Sequence, residues 1–279
     1  MDQSIYTYLR KQIFLAAYAG GQAPHLASSF SCVDILYTLY CKGILRHDPK
    51  NPSWEDRDRV ILSKGHGSLG LYTVLCEAGY FDRDVLMSFV QQDSLLGGEP
   101  SLNQSIGIEA GTGSLGRGLS MGVGMALAGK KSGAASHTYV LVGDGECQEG
   151  AIWEAVMSAS RFHLDNLTIL LDHNRLQKMD TVEAIMDITD WKSRFSAFGW
   201  NTVEVDGHNI DDLTACLQNH KVEGKPTVVI CHTIKGKGSS LMEENPAWHW
   251  RKPNKRETKV FARELEITEE ELAQCKAHT

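Results

Sequence analysis

Tyr139-Val-Leu-Val-Gly143-Asp144-Gly145-Glu146-Cys-Gln-Glu149-Gly150 decides how the rest of this sequence is read. Four apolar residues ending in Gly-Asp-Gly read as a strand buried on both faces. The pattern over 148–161 reads as a helix starting a few residues later. In a parallel α/β sheet, ligands bind beyond the carboxyl ends of strands, which places Asp144 at a crevice. A helix N-terminus beside it favours phosphate oxygens. Thirty residues on, a second apolar strand, Leu167–Leu171, ends in Asp172-His173-Asn174. Asp144 and Asn174 then supply two hard oxygen ligands from two strand ends. Mg²⁺ takes six oxygens and is usually completed by water and ligand phosphates, so the pair leaves room for a diphosphate. Either residue alone reads as a helix cap or a turn former; together, at matching strand ends, they read as a metal and phosphate site.

Working outward, further strands are expected at 59–62, 202–205 and 227–230. Helices are expected at 5–19, 33–45, 69–78, 119–128 and 211–218, with Asp82 as the N-cap of another. Apolar strands alternating with helices predict an α/β fold, a single parallel-sheet domain with helices on both faces. Residues 91–116 are rich in Gly and Ser without periodicity, which predicts a long, mobile, functional loop. From Trp248 the chain reads as a charged tail with a last helix after Thr268, and the whole of 1–279 as one domain.

Composition narrows the function classes. The balance of 28 basic against 35 acidic residues, a net charge of −7, argues against a general nucleic-acid surface. No apolar run approaches the roughly 18 residues of a membrane-spanning helix. Seven cysteines form an odd count without a C-x-x-C pair, which reads as reduced thiols in a cytoplasmic protein rather than as a disulfide framework or a zinc site.

Two familiar patterns fail on context. Gly111-Thr-Gly113-Ser-Leu-Gly116 fits G-x-G-x-x-G, but no strong strand precedes it and no acidic residue follows at ribose distance. A nucleotide-binding oxidoreductase is therefore a poor reading, and a glycine turn approaching some other ligand a better one. Gly124-Met-Ala-Leu-Ala-Gly129-Lys130-Lys131 lacks the Ser or Thr of a P-loop.

Gly143-Asp144-Gly145 with Asn174 resembles the thiamine diphosphate signature, and its surroundings resemble the N-terminal half of transketolase. The ordered series that carries the resemblance spans nearly the whole chain. It includes Leu62-Ser-Lys-Gly-His66-Gly67, Gly111–Gly118, Trp153-Glu154-Ala155, Ala197-Phe-Gly-Trp200, Val205-Asp-Gly-His208, His232-Thr-Ile-Lys-Gly-Lys-Gly238 and Asn245-Pro-Ala-Trp-His249. The resemblance implies that Asp144, Asn174 and the carbonyl of Leu176 hold Mg²⁺, or Ca²⁺ or Mn²⁺ in its place. It implies that Gly145, His66 and His249 contact the diphosphate, that Gly143 and Glu146 also belong to the cofactor-binding set, and that the turn Gly113-Ser114-Leu115 lies against the aminopyrimidine. His25, His66 and His249 would handle hydroxyl and carbonyl protons, with His25 in the substrate channel. An imidazole near neutral pKa suits that work.

The implied activity is transfer of a two-carbon ketol unit from a ketose, such as a sugar phosphate, to an aldehyde. In that family a glutamate of a pyrimidine-binding domain activates the cofactor, and nothing after Asn174 offers such a domain. A separate C-terminal subunit, in an α2β2 assembly, is therefore implied. Rival readings are a 2-oxoacid dehydrogenase or deoxyxylulose-phosphate synthase type of subunit, and a non-catalytic cofactor-binding subunit. Two departures bear on substrate: Gly98-Glu99-Pro100 stands where the family has Gly-His-Pro, so Glu99 faces the donor, and Trp250 follows His249 where glycine is usual.

Overall fold

The computed structural model describes residues 3–276; the one-domain reading of 1–279 extends past them at both ends. In chain order the elements are α1 (Gln3–Gly20), α2 (Leu26–Cys41), β1 (Arg59–Leu62), α3 (Ser68–Glu77), α4 (Arg83–Met87), α5 (Arg117–Ser132), β2 (Thr138–Gly143) and α6 (Gly150–Arg161). They continue with β3 (Leu167–His173), α7 (Val182–Ile185), α8 (Trp191–Ala197), β4 (Asn201–Asp206), α9 (Ile210–Asn219), β5 (Thr227–His232), α10 (Lys255–Glu264) and α11 (Glu269–Lys276).

The five strands form one parallel sheet in the order β1-β2-β3-β5-β4. Alternation along the strands divides the core. Tyr139, Leu141 and Leu170 pack with α1, α2, α3 and α9 on one face. Val140, Val142, Ile169 and Leu171 pack with α5, α6 and α8 on the other. Every position of β2 and β3 is buried, as central strands covered on both faces require.

Three expectations shift. The helix expected at 33–45 is α2, which begins at Leu26 and stops at Cys41, where Gly43 turns with φ +70°. Asp82 is the N-cap of α4 as expected, although its side chain makes no capping hydrogen bond. After Asp144 comes a single 3₁₀ turn, Gly145–Gln148, so the helix N-terminus stands at Gly150 rather than beside the carboxylate. The tail from Trp248 also holds α10, a full helix that starts on a capping box between Asn254 and Glu257.

Loop 91–116 contains only one 3₁₀ turn, Gln104–Ile106, and is tied to the sheet at several points. Thr112 Oγ1 donates to the Leu62 carbonyl at 2.8 Å, and the Gly116 amide donates to Glu146 at 2.8 Å. These ties set the 113–116 turn over the ends of β1 and β2.

Candidate active site

Three neighbouring strands deliver the first groups. β1 runs into Lys64 and His66, β2 into Asp144, and β3 into Asn174. The register Gly143↔Asp172 aligns the last two strand ends. His25 at the start of α2, Lys235 after β5 and His249 after the 3₁₀ turn Pro246–Trp248 close the other side. The result is a cleft of about 320 Å³ that gathers His25, His66, Glu99, Asp144, Asn174 and His249. Gly113, Leu115, Gly143, Gly145, Glu146 and Leu176 also line it. Of the residues expected from sequence, only Ser114 does not.

Each oxygen expected from sequence to ligate a metal is already oriented. Asp144 Oδ1 accepts from the Gly145 amide at 2.7 Å and Oδ2 from the Arg175 amide at 2.5 Å. Asn174 Oδ1 accepts from the Leu176 amide at 3.1 Å, while its Nδ2 donates to Asp172 at 2.9 Å. The Leu176 carbonyl accepts from Lys235 Nζ at 2.9 Å. Burial and the nearby Asp172 carboxylate push Asp144 up to about 7, the signature of a carboxylate short of positive charge.

Glu146, which also lines the cleft, bridges three of the segments that build it. Its carboxylate accepts from Ser63 Oγ at 2.5 Å, from the Gly116 amide at 2.8 Å and from the Gly143 amide at 3.1 Å. It thus joins the end of β1, the glycine turn and the end of β2.

Beneath the cleft, Lys64 pairs with Asp172 where both side chains are almost wholly enclosed. Ser31 and Thr233 donate to the same carboxylate at 2.8 and 2.5 Å, so Asp172 stays ionised, its carboxyl held below the ordinary range. Lys64 and Lys235 lie inside motifs that are plain in the sequence, yet nothing there marks a role for either. Their partners lie far off in the chain, and only the fold brings them together.

The three histidines form one cluster, with ring centroids 5.2 to 5.6 Å apart. Burial lowers all three, assisted by Lys64 and Lys235: His25 to about 4, His249 to about 3, and His66 well below its ordinary value. They are neutral imidazoles at pH 7. Lys235 Nζ stands 3.2 Å from His249 Nδ1. An ammonium is donor only, so the His249 proton resides on Nε2. Away from the cleft, His208 Nδ1 pairs with Asp34 at 2.8 Å and its Nε2 accepts from the Ile234 amide, so this histidine positions the loops around it.

This arrangement can be set beside known proteins. Residues 12–271 match the profile of the family described as transketolase, thiamine diphosphate binding domain. The chain belongs to the transketolase family.

Among its relatives is an apulose-4-phosphate transketolase subunit from Phocaeicola vulgatus, 39% identical over 94% of this chain and 93% of that one. Another is the 6-deoxy-6-sulfo-D-fructose transketolase subunit SqwG of a Clostridium species, 37% identical over 87% and 88%. Human transketolase is 37% identical over 86% of this chain but only 38% of its own length. The solved transketolase of Campylobacter jejuni superposes with a TM-score of 0.85 at 27% identity, covering 100% of this chain and 46% of that chain. The chain therefore spans less than half of the solved transketolases it matches and nearly all of the subunits.

Of the two departures from the transketolase pattern, Glu99 lines the cleft and Trp250 lines the cavity beside it. The Glu99 carboxylate lies over Gly113, where an added Cβ would stand 1.9 Å from Oε2. Trp250 stacks on His25 with centroids 6.1 Å apart, and its indole N–H donates to the Ala23 carbonyl at 2.8 Å.

Proposed function

We propose that this chain is the diphosphate-binding subunit of a two-subunit transketolase. With a separate subunit carrying a pyrimidine-binding domain, it would transfer a two-carbon ketol unit from a ketose to an aldehyde. The observation that carries the reading is the convergence of Asp144 and Asn174, at adjacent strand ends, with three neutral imidazoles in one cleft. The subunit names of the relatives support a divided enzyme.

The donor set fits a hard divalent cation. A carboxylate, an amide oxygen and a backbone carbonyl are the ligands Mg²⁺ accepts, and the Leu176 carbonyl keeps a second lone pair beside Lys235. Thiamine diphosphate, when bound, supplies the nucleophilic carbon that breaks and remakes the carbon–carbon bond. Asp144, Asn174 and Leu176 would hold its metal, and Gly143, Gly145, His66 and His249 its diphosphate. Gly113, Ser114 and Leu115 would flank its ring, with Glu146 setting the separation between ring and diphosphate supports. His249 would donate from Nε2, while neutral His25 and His66 would accept protons from substrate hydroxyls.

All seven cysteines are free thiols, which supports a cytoplasmic location. Among the described residues no helix is long and apolar enough to cross a membrane.

The test is co-expression with the companion subunit, followed by assay of a panel of ketose donors and aldose acceptors that includes apulose 4-phosphate and 6-deoxy-6-sulfofructose. The complex should transfer ketol units and the isolated chain should not, and its solution mass should match two copies of each chain. Full ketol transfer by the isolated chain would overturn the divided-enzyme reading.

A further inference from the structure

Asp34 on α2 is wholly enclosed and accepts from two side chains that other elements deliver. Arg10 of α1 donates to its two oxygens at 3.0 and 2.6 Å, and His208, just past β4, pairs with it through Nδ1. Burial would raise the Asp34 carboxyl, but Arg10 and His208 hold it below the ordinary range. Each partner then reaches the same loop. The Ile234 amide donates to His208 Nε2 at 2.8 Å, so the His208 proton resides on Nδ1. Arg10 Nε donates to the Lys237 carbonyl at 2.6 Å. These two bonds straddle Lys235, a buried side chain whose Nζ meets the Leu176 carbonyl and His249 Nδ1. Lys235 lines the cofactor cleft, whereas Arg10, Asp34 and His208 do not.

We infer that Asp34 is a positioning residue that aims Lys235 into the cleft, acting through His208 and Arg10. The inference rests on the diphosphate-binding reading of that cleft. A close-packed lysine stem has little rotamer freedom, so movement of the loop backbone carries Nζ with it. A shift of about 1 Å takes its bonds beyond hydrogen-bond range. The Leu176 carbonyl would then lose a donor, and His249 the ammonium that keeps its Nδ1 unprotonated. A diphosphate in the cleft would lose a positive charge. A carboxylate suits the far end of this relay because both of its partners are donors. An amide at 34 must turn its NH2 group toward an Arg10 N–H or toward His208, where it displaces the tautomer that accepts from Ile234.

The experiment is a double-mutant cycle with Lys235→Met, read by calorimetry as Mg²⁺-dependent binding of thiamine diphosphate to the assembled complex. Asp34→Asn should weaken binding at least tenfold on its own and less than about twofold in the Lys235→Met background. Should Asp34→Asn fail to fold, His208→Phe cuts one arm, leaves the Arg10–Asp34 pair in place and should show the same pattern. His208→Gln, whose amide oxygen can accept from Ile234, should restore binding to within about threefold of wild type. Equal weakening in both backgrounds overturns the positioning role and leaves the cofactor reading standing. A second readout needs no cofactor: ¹⁵N NMR of labelled histidines in the isolated chain reports the His249 tautomer. Wild type should hold that proton on Nε2, and His208→Phe and Lys235→Met should both mix the tautomers. An unchanged His249 in His208→Phe overturns the inference. Mixing in a protein whose complex binds no thiamine diphosphate would support the positioning role while removing the cofactor reading.

Discussion

Lys64 and Asp172 form an ion pair with side chains only 1% and 0% exposed, directly under the candidate metal site. Lys64 also donates to the Ser28 carbonyl at 3.1 Å, and Asn174 donates to the same Asp172 oxygen that Lys64 holds. The pair therefore supports the orientation of Asn174 as well as the packing of α2 on the sheet.

Removing one partner strands a buried charge, which costs about 3–5 kcal/mol. Lys64→Met should lower the urea midpoint accordingly, and Asp172→Asn should do so by a similar amount. The double variant Lys64→Met/Asp172→Asn should recover part of the loss. Equilibrium denaturation of the four proteins measures the coupling, and additive losses would show that the pair does not act as a unit.

Asp144→Ala should abolish Mg²⁺-dependent binding of thiamine diphosphate by the complex while the fold persists. The carboxylate's two bonds are both to backbone amides of its own and the facing loop, so the sheet does not depend on it. Calorimetry with and without Mg²⁺, together with far-UV circular dichroism, checks both halves. Undiminished metal-dependent binding would remove Asp144 from the ligand set.

Stability should fall as pH drops through about 6.5. His25, His66, His137, His173, His220 and His249 all have folded values lowered by burial, against about 6.5 in the unfolded chain. The unfolded state takes up these protons first, so acid favours unfolding until the folded values, near 4 for His25, are reached. Asp144, raised to about 7, works in the opposite direction by binding a proton in the folded state first. Glu109 and Glu146, raised by burial, oppose the histidines too. Six histidines outweigh them between pH 7.5 and 5.5, and urea midpoints across that interval should decrease. A flat or rising midpoint would contradict the buried neutral state of the histidines.

Gly113 adopts φ +147°, a conformation that side chains rarely take, and holding it costs a non-glycine residue about 1–3 kcal/mol. Gly113→Ala also drives a methyl group into the Glu99 carboxylate. The substitution should weaken cofactor binding at least tenfold by calorimetry. Adding Glu99→Ala should relieve the clash and leave the backbone cost, so rescue should be partial. Full rescue would assign the whole effect to the carboxylate.

The sheet was legible because β1, β2, β3 and β5 are short, largely apolar runs, and none of the strands was misplaced by more than two residues. The site was legible wherever one motif carried its own geometry, as at Asp144, Asn174 and His66. Apolar periodicity failed at the start of α2 because Ser28, Ser29 and Ser31 are buried there. Ser31 faces the Lys64–Asp172 pair, and no local pattern reveals a polar interior formed across the fold. α10 was hidden by its charge, since Phe261 is its one fully buried side chain, although Asn254 and Glu257 carried a readable capping signal. The wiring of Glu146 was invisible for a third reason: two of its three donors are backbone amides, whose identity leaves no mark on composition.

That wiring makes one carboxylate behave like the fixed beam of a caliper. Gly116 and Gly143 hang from opposite oxygens of Glu146, one oxygen for each jaw, and Ser63 braces the first of them. The gap between the jaws is set before any ligand arrives. A molecule spanning the gap gains from both ends at once, whereas either fragment alone gains from one end and still loses its own freedom of motion. Affinity for the intact molecule should then greatly exceed the product of what its halves achieve, so that the chain measures length.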